Sequence, residues 1–158
     1  MQIEYEATFT DINKDEVRAK LRAAGAKLIY PEVLQKRVTF KLPPGIKIKG
    51  GWLRVRDEGD KITMSLKVRN GDNIEDQKEL CLKVDNFDAG AAFLENIGCE
   101  KKAYQESKRE LWQLDGAQIT IDEWPFLEPF AEIEGVSEEN VKFVSEKIGF
   151  DYSQALFC

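Results

Sequence analysis

The chain has 158 residues, 42% hydrophobic and 33% charged, with 23 basic and 29 acidic side chains and a net charge of −6. This composition excludes a disordered tail, a membrane-spanning segment and, through its acidic excess, a general nucleic-acid binder that must neutralise phosphates. Histidine is absent, which removes Ser-His-Asp and Cys-His catalysis and most zinc sites.

Ile3, Tyr5, Ala7 and Phe9 alternate with Glu4, Glu6 and Thr8, predicting a strand with one apolar face. A helix follows from Asn13 to Ala24. Asn13 and Glu16 have capping-box spacing, Val17, Leu21 and Ala24 form a stripe, and Gly25 ends it. Four strands come next, over Val33–Lys41, Trp52–Asp57, Ile62–Arg69 and Lys78–Val84, joined by Pro-, Gly- and Asn-Gly-type turns. A second helix spans Phe87–Ile97. Strands over Ala103–Leu114, Gln118–Glu123 and Phe130–Glu134 follow, and Ser137 caps a last helix with Lys147 in its final turn.

No linker or repeat divides the chain, so one domain over residues 1–158 is expected. The three cysteines form no C-x-x-C, and Met1-Gln2-Ile3-Glu4-Tyr5-Glu6 has no signal-peptide grammar. Reduced thiols and a cytoplasmic location are the expectation. About eight strands joined by tight turns predict a largely antiparallel sheet that tends to curl or close.

The polar faces of these strands carry ordered charge. Glu4 and Glu6 project together, as do Glu132 and Glu134, with Asp122 between. Facing them in the pattern are Arg37, Lys41, Arg54, Arg56, Lys67, Arg69 and Arg109. On an open sheet these would form a solvated face with ion pairs worth about 0–1 kcal/mol each. Turned inward by closure they need water and a partner, because unpaired buried charge is expensive. A polyphosphate with a divalent ion suits both signs: carboxylates hold the ion, and Arg and Lys grip phosphate oxygens. Trp52, Trp112 and Trp124 read most simply as packing residues.

At these residues the sequence resembles the CYTH superfamily, the triphosphate tunnel metalloenzymes, over nearly the whole chain. Glu4-Tyr5-Glu6-Ala7-Thr8 resembles the opening E-x-E-x-K, and Leu53-Arg54-Val55-Arg56 resembles L-R-x-R. Lys67, Arg109-Glu110-Leu111-Trp112, Asp122, Glu132-Ile133-Glu134 and the Asp151-Tyr152-Ser153 tail complete the likeness. The resemblance implies a closed, roughly eight-stranded antiparallel barrel of α+β class with about three outer helices. It also implies Mg²⁺ or Mn²⁺ held by Glu4, Glu6, Asp122, Glu132 and Glu134. Phosphate would be bound by Arg54, Arg56, Lys67 and Arg109, with Arg37 added from the charge pattern and Glu79 as a further acid. Two departures stand out: Thr8 replaces the motif lysine, and Ser107 replaces a lysine two before Arg109. Triphosphate hydrolysis, class IV adenylyl cyclase chemistry and triphosphate binding without catalysis are the three function classes left open.

Overall fold

The computed structural model describes residues 1–158. Nine strands and three helices follow the order β1 (Gln2–Ile3), β2 (Tyr5–Phe9), α1 (Lys14–Ala23), β3 (Lys27–Phe40), β4 (Gly51–Asp57), β5 (Ile62–Arg69), β6 (Gln77–Val84), α2 (Phe87–Asn96), β7 (Lys101–Leu114), β8 (Ala117–Glu123), β9 (Phe130–Gly135) and α3 (Glu138–Ile148). All strand pairs are antiparallel, in the spatial order β1-β6-β5-β4-β3-β7-β8-β9-β2. Because β1 and β2 are consecutive in the chain, the two ends of this order meet and the sheet curls into a nearly closed barrel.

The single first strand expected from alternation divides at Glu4, and the division makes the closure. Gln2 and Ile3 pair with Glu79 and Lys78 of β6, whereas Tyr5 to Phe9 pair with Gly135 to Ala131 of β9. Where β2 leaves β6, the Gln77 side-chain amide donates to the Glu6 carbonyl at 3.0 Å. Farther along, Thr8 exchanges backbone hydrogen bonds of 2.8 and 2.9 Å with Leu156 of the C-terminal tail. The exposed edge of β2 is thereby covered, which satisfies donors and acceptors a strand edge would leave open.

Strand β3 begins at Lys27 rather than Val33. Its pairing with β7 shifts between Tyr30 and Val33, where Pro31 and Glu32 stand against Glu110 alone. A bulge tolerates proline within a strand, which short-range reading takes for a strand start. Helix α1 is capped by Asn13, whose side chain accepts from the Glu16 N–H at 3.0 Å. Helix α3 starts at the Ser137 cap and ends at Gly149 in the left-handed region, φ +102°.

The hydrophobic core lies outside the barrel wall, not in its lumen. Ala7 and Phe9 of β2, Ile119 and Ile121 of β8 and Ile133 of β9 pack under α1 (Val17, Leu21) and α3 (Val141, Val144, Ile148). A second cluster joins Val38, Phe40 and Val55 to Leu94 of α2 and Cys99. Since outward positions are apolar, strand alternation sends the intervening polar positions inward. No helix is long and apolar enough to cross a membrane.

Candidate functional site: a charged barrel lumen

The lumen is charged on all sides and its two signs are segregated by strand. Cross-strand register sets Glu6 directly opposite Glu134 between β2 and β9, and Thr8 opposite Glu132. On the other side Arg37 stands directly opposite Arg56 between β3 and β4. Like charges opposed across a strand pair destabilise a sheet. Two such pairs, one acidic and one basic, are therefore maintained here against the fold's own stability.

Three of the cations are committed to acids. Arg109 Nε donates to Asp122 Oδ1 at 2.6 Å and its Nη2 to Glu132 Oε2 at 3.0 Å. Lys67 Nζ lies 3.0 Å from Glu4 and 3.3 Å from Glu79, and Arg56 Nη2 lies 3.2 Å from Glu58. Arg54, almost fully buried, reaches Glu79 only at 3.6 Å. Glu79 also accepts from Ser65 Oγ at 2.7 Å. Arg37 touches no carboxylate; its Nε donates to Gln105 Oε1 at 3.0 Å.

Titration follows this crowding. Burial and the hydrogen bond shared with Glu79 push Glu4 up to about 7, against the pull of Lys67. Burial and then Glu132 raise Glu6 well above the ordinary carboxylate range. Burial works to raise Glu79, but hydrogen bonding with Glu4 and Ser65 and the charges of Lys67 and Arg54 hold it far below that range. Burial and then Arg54, Arg56 and Arg109 push Arg37 down to about 9, so it stays charged at neutral pH. Burial likewise lowers Arg54 to about 10, while Asp122 and Glu132 overcome burial to raise Arg109.

Three side-chain atoms of this lumen are buried with no hydrogen-bond partner: Thr8 Oγ1, Arg54 Nε and Arg56 Nε. Buried donors of this kind are rare and costly, about 1–3 kcal/mol each. Two guanidinium N–H groups without an acceptor are chemically suited to an anion with several oxygens. The acids suit a hard cation, since they offer carboxylate oxygens only, with no imidazole or thiolate among them. Glu6 and Glu134 make no ion pair, whereas Glu4, Asp122 and Glu132 are engaged by Lys67 and Arg109. No three carboxylates converge on one point. By donor chemistry, Glu6 and Glu134 are the residues that fit a divalent ion, and Glu132 lies next to both in register.

All eleven residues singled out from the sequence line this lumen or its mouth: Glu4, Glu6, Arg37, Arg54, Arg56, Lys67, Glu79, Arg109, Asp122, Glu132 and Glu134. Lys41 and Arg69 do not join them. Lys41 lies exposed against Glu100, and Arg69 points to Asp72 beside a turn. Sequence reading missed three contributors. Glu58 lies in the turn-type stretch Glu58-Gly59-Asp60, Gln105 shares the alternation of Ser107 and Arg109, and Trp124 reads as packing. The Trp124 ring in fact lies 4.2 Å from the Arg37 guanidinium carbon.

The model of the CYTH domain matches residues 2–154. No curated protein matches the chain in sequence. Among solved structures, the PH1012 protein of Pyrococcus horikoshii is 19% identical, covers 96% of this chain and 93% of its own, and superposes with a TM-score of 0.79. A proposed adenylate cyclase from Vibrio parahaemolyticus is 15% identical with a TM-score of 0.82, covering 98% of this chain and 92% of its own. HpAC1 of Hippeastrum, a proposed adenylyl cyclase with dominant triphosphatase activity, is 15% identical with a TM-score of 0.64, covering 98% and 90%. At these identities the likeness establishes the shared fold.

Proposed function

Because the chain belongs to the CYTH domain family, we propose that its lumen binds a triphosphate together with Mg²⁺ or Mn²⁺ and hydrolyses a phosphoanhydride bond. The family is metal-dependent in general. The observation that carries this reading is the pair of buried, acceptor-less guanidinium donors on Arg54 and Arg56, facing an acid cluster that lacks enough cations. Arg37, Arg54, Arg56 and Lys67 grip phosphate oxygens and stabilise the charge that builds on them as the bridging P–O bond breaks. Arg109 contributes less free charge, because Asp122 and Glu132 already neutralise it. Glu6 and Glu134 would hold a divalent ion, which would supply charge neutralisation and lower the pKa of water near it. In the overall reaction a water oxygen bonds to the terminal phosphorus, the bridging P–O bond breaks, the diphosphate end departs with the bridging oxygen, and the attacked phosphoryl group becomes orthophosphate as the water gives up a proton.

Thr8 favours a second reading, binding without turnover. Its hydroxyl occupies the place of the motif lysine, opposite Glu132, and brings no cation. The likeness to proteins named for adenylyl cyclase activity adds a third, in which ATP yields cyclic AMP and pyrophosphate. One experiment separates them. Inorganic triphosphate, ATP and thiamine triphosphate are incubated with the protein and Mg²⁺ or Mn²⁺, and every product is followed. Orthophosphate supports hydrolysis, pyrophosphate with cyclic AMP supports cyclisation, and a raised melting temperature without product supports binding alone. Neither product nor a shift in melting temperature with any of the three overturns the tunnel reading.

A further inference from the structure

Arg37 differs from the other lumen cations in what holds it. Arg54, Arg56, Lys67 and Arg109 each have a carboxylate oxygen within 4 Å. Arg37 has two neutral partners instead. Gln105 accepts from Nε, and the Trp124 ring covers the guanidinium face. With Nε engaged, the two terminal nitrogens are left without a protein acceptor. These are the atoms that make a bidentate grip on a phosphate group.

The surroundings make such a cradle necessary. Arg56 lies directly opposite in register, and Arg54 and Arg109 add to the repulsion. An unsupported arginine would swing toward solvent and would have to be ordered again whenever an anion bound. A carboxylate would hold it in place but would also neutralise it, as happens to Arg109. An amide oxygen and an aromatic face fix the side chain while leaving its positive charge uncompensated. Trp124 is placed at a cost, since its Nε1 is buried with no acceptor. What the position offers in exchange is the face of the ring. It is supplied by the β8–β9 connection, whose next residues are Pro125 and then Phe126 in the left-handed region at φ +67°.

We infer that Trp124 and Gln105 are positioning residues that hold Arg37 as the lumen's uncommitted guanidinium, its terminal nitrogens presented to a phosphate group of the substrate. This rests on the triphosphate reading of the tunnel and adds to it which arginine keeps its charge uncompensated for the anion and what holds it in place.

Isothermal titration of the full chain with tripolyphosphate in the presence of Mg²⁺, its bridging oxygens replaced by imido groups so that no hydrolysis accompanies binding, tests it. Trp124→Leu keeps an apolar side chain but removes the aromatic face, and it should raise Kd between about 5- and 30-fold. Trp124→Phe restores a face and should stay within about threefold of the unaltered protein. Gln105→Met, at a half-exposed site that tolerates change, should weaken binding in the same direction. In an Arg37→Gln background, Trp124→Leu should add nothing. Equal tripolyphosphate affinity in Trp124→Leu and the parent overturns the inference, as does an equal loss in the Arg37→Gln background. If the unaltered protein binds no tripolyphosphate, the tunnel reading itself falls; if it binds and these variants match it, only the role given to Trp124 and Gln105 falls.

Discussion

Glu6→Gln is the most direct probe of the acid pair. Glu6 and Glu134 are opposed across β2 and β9 with no cation between them, and opposed Cβ atoms lie about 4.5–5.5 Å apart. Taking about 5 Å between charges, Coulomb repulsion is about 3 kcal/mol at an effective dielectric of 20 and about 0.8 kcal/mol in water. Glu134 is solvent-accessible and Glu6 half-buried, so the relief on neutralising Glu6 lies between these limits, about 1–3 kcal/mol. For a domain of this size each kcal/mol moves Tm by about 2–4 °C, so the metal-free variant should melt about 2–12 °C higher at pH 8. The folded-state pKa of Glu6 is raised, so its ionised form opposes folding only at higher pH. The gain must shrink as pH falls through that raised pKa, so it should be smaller at pH 5 than at pH 8. Differential scanning calorimetry in chelator at both pH values is the assay. A variant that melts at or below the parent at pH 8, or one whose advantage is the same at pH 5, would refute the opposed-charge argument.

Glu110→Ala should lower Tm by about 6–12 °C, a loss of about 3 kcal/mol. Buried Glu110 accepts from Arg18 at 2.7 and 3.0 Å and from the Trp112 indole at 2.7 Å, tying α1 to the barrel; a Tm within 2 °C of the parent excludes that role. Glu4, raised to about 7, favours the fold when protonated, so its contribution is complete below about pH 4.5 and lost as pH rises through 7. Metal-free stability should therefore fall from pH 5 to pH 8, and Glu4→Gln should flatten the calorimetric profile over that window. Glu79 works in the opposite sense, but its window lies below pH 4.5. Arg56→Gln removes a buried donor from the proposed phosphate grip and should abolish most of the Tm rise produced by inorganic triphosphate with Mg²⁺; an undiminished rise places the anion elsewhere. Thr8→Lys restores a cation beside Glu132 and should tighten triphosphate binding by about tenfold, the worth of one charge-assisted hydrogen bond. Unchanged affinity and rate would mean that residue 8 does not meet the ligand.

Much of the wall was legible residue by residue. Period-two alternation assigns Glu4, Glu6, Arg54, Arg56, Lys67, Glu132 and Glu134 to polar faces without any knowledge of partners. The same rule, applied without a motif to direct it, contains Gln105. Other features were hidden because they depend on distant segments. Pro31 obscures the first half of β3, since a bulge that accommodates it forms only against β7. Trp124 resembles any packing aromatic until β3 brings Arg37 beneath it. Glu58 belongs to a turn by local chemistry, and only the return of β5 beside β4 brings the Thr63 hydroxyl to it and holds it against Arg56.

The order of side chains along the chain decided which residues are apolar, which are charged, and that consecutive charges on a strand share one face, because backbone geometry alone imposes that alternation. Whether those faces look outward to solvent or inward at one another was decided by contacts far apart in sequence: the partner change at Glu4, the Gln77 amide at the seam and the Leu156 tail on Thr8. The reason is physical. A strand's own periodicity cannot distinguish a wet surface from a lumen, and only closure brings acids and arginines into one shared, partly desolvated space where their charge acquires chemical consequence.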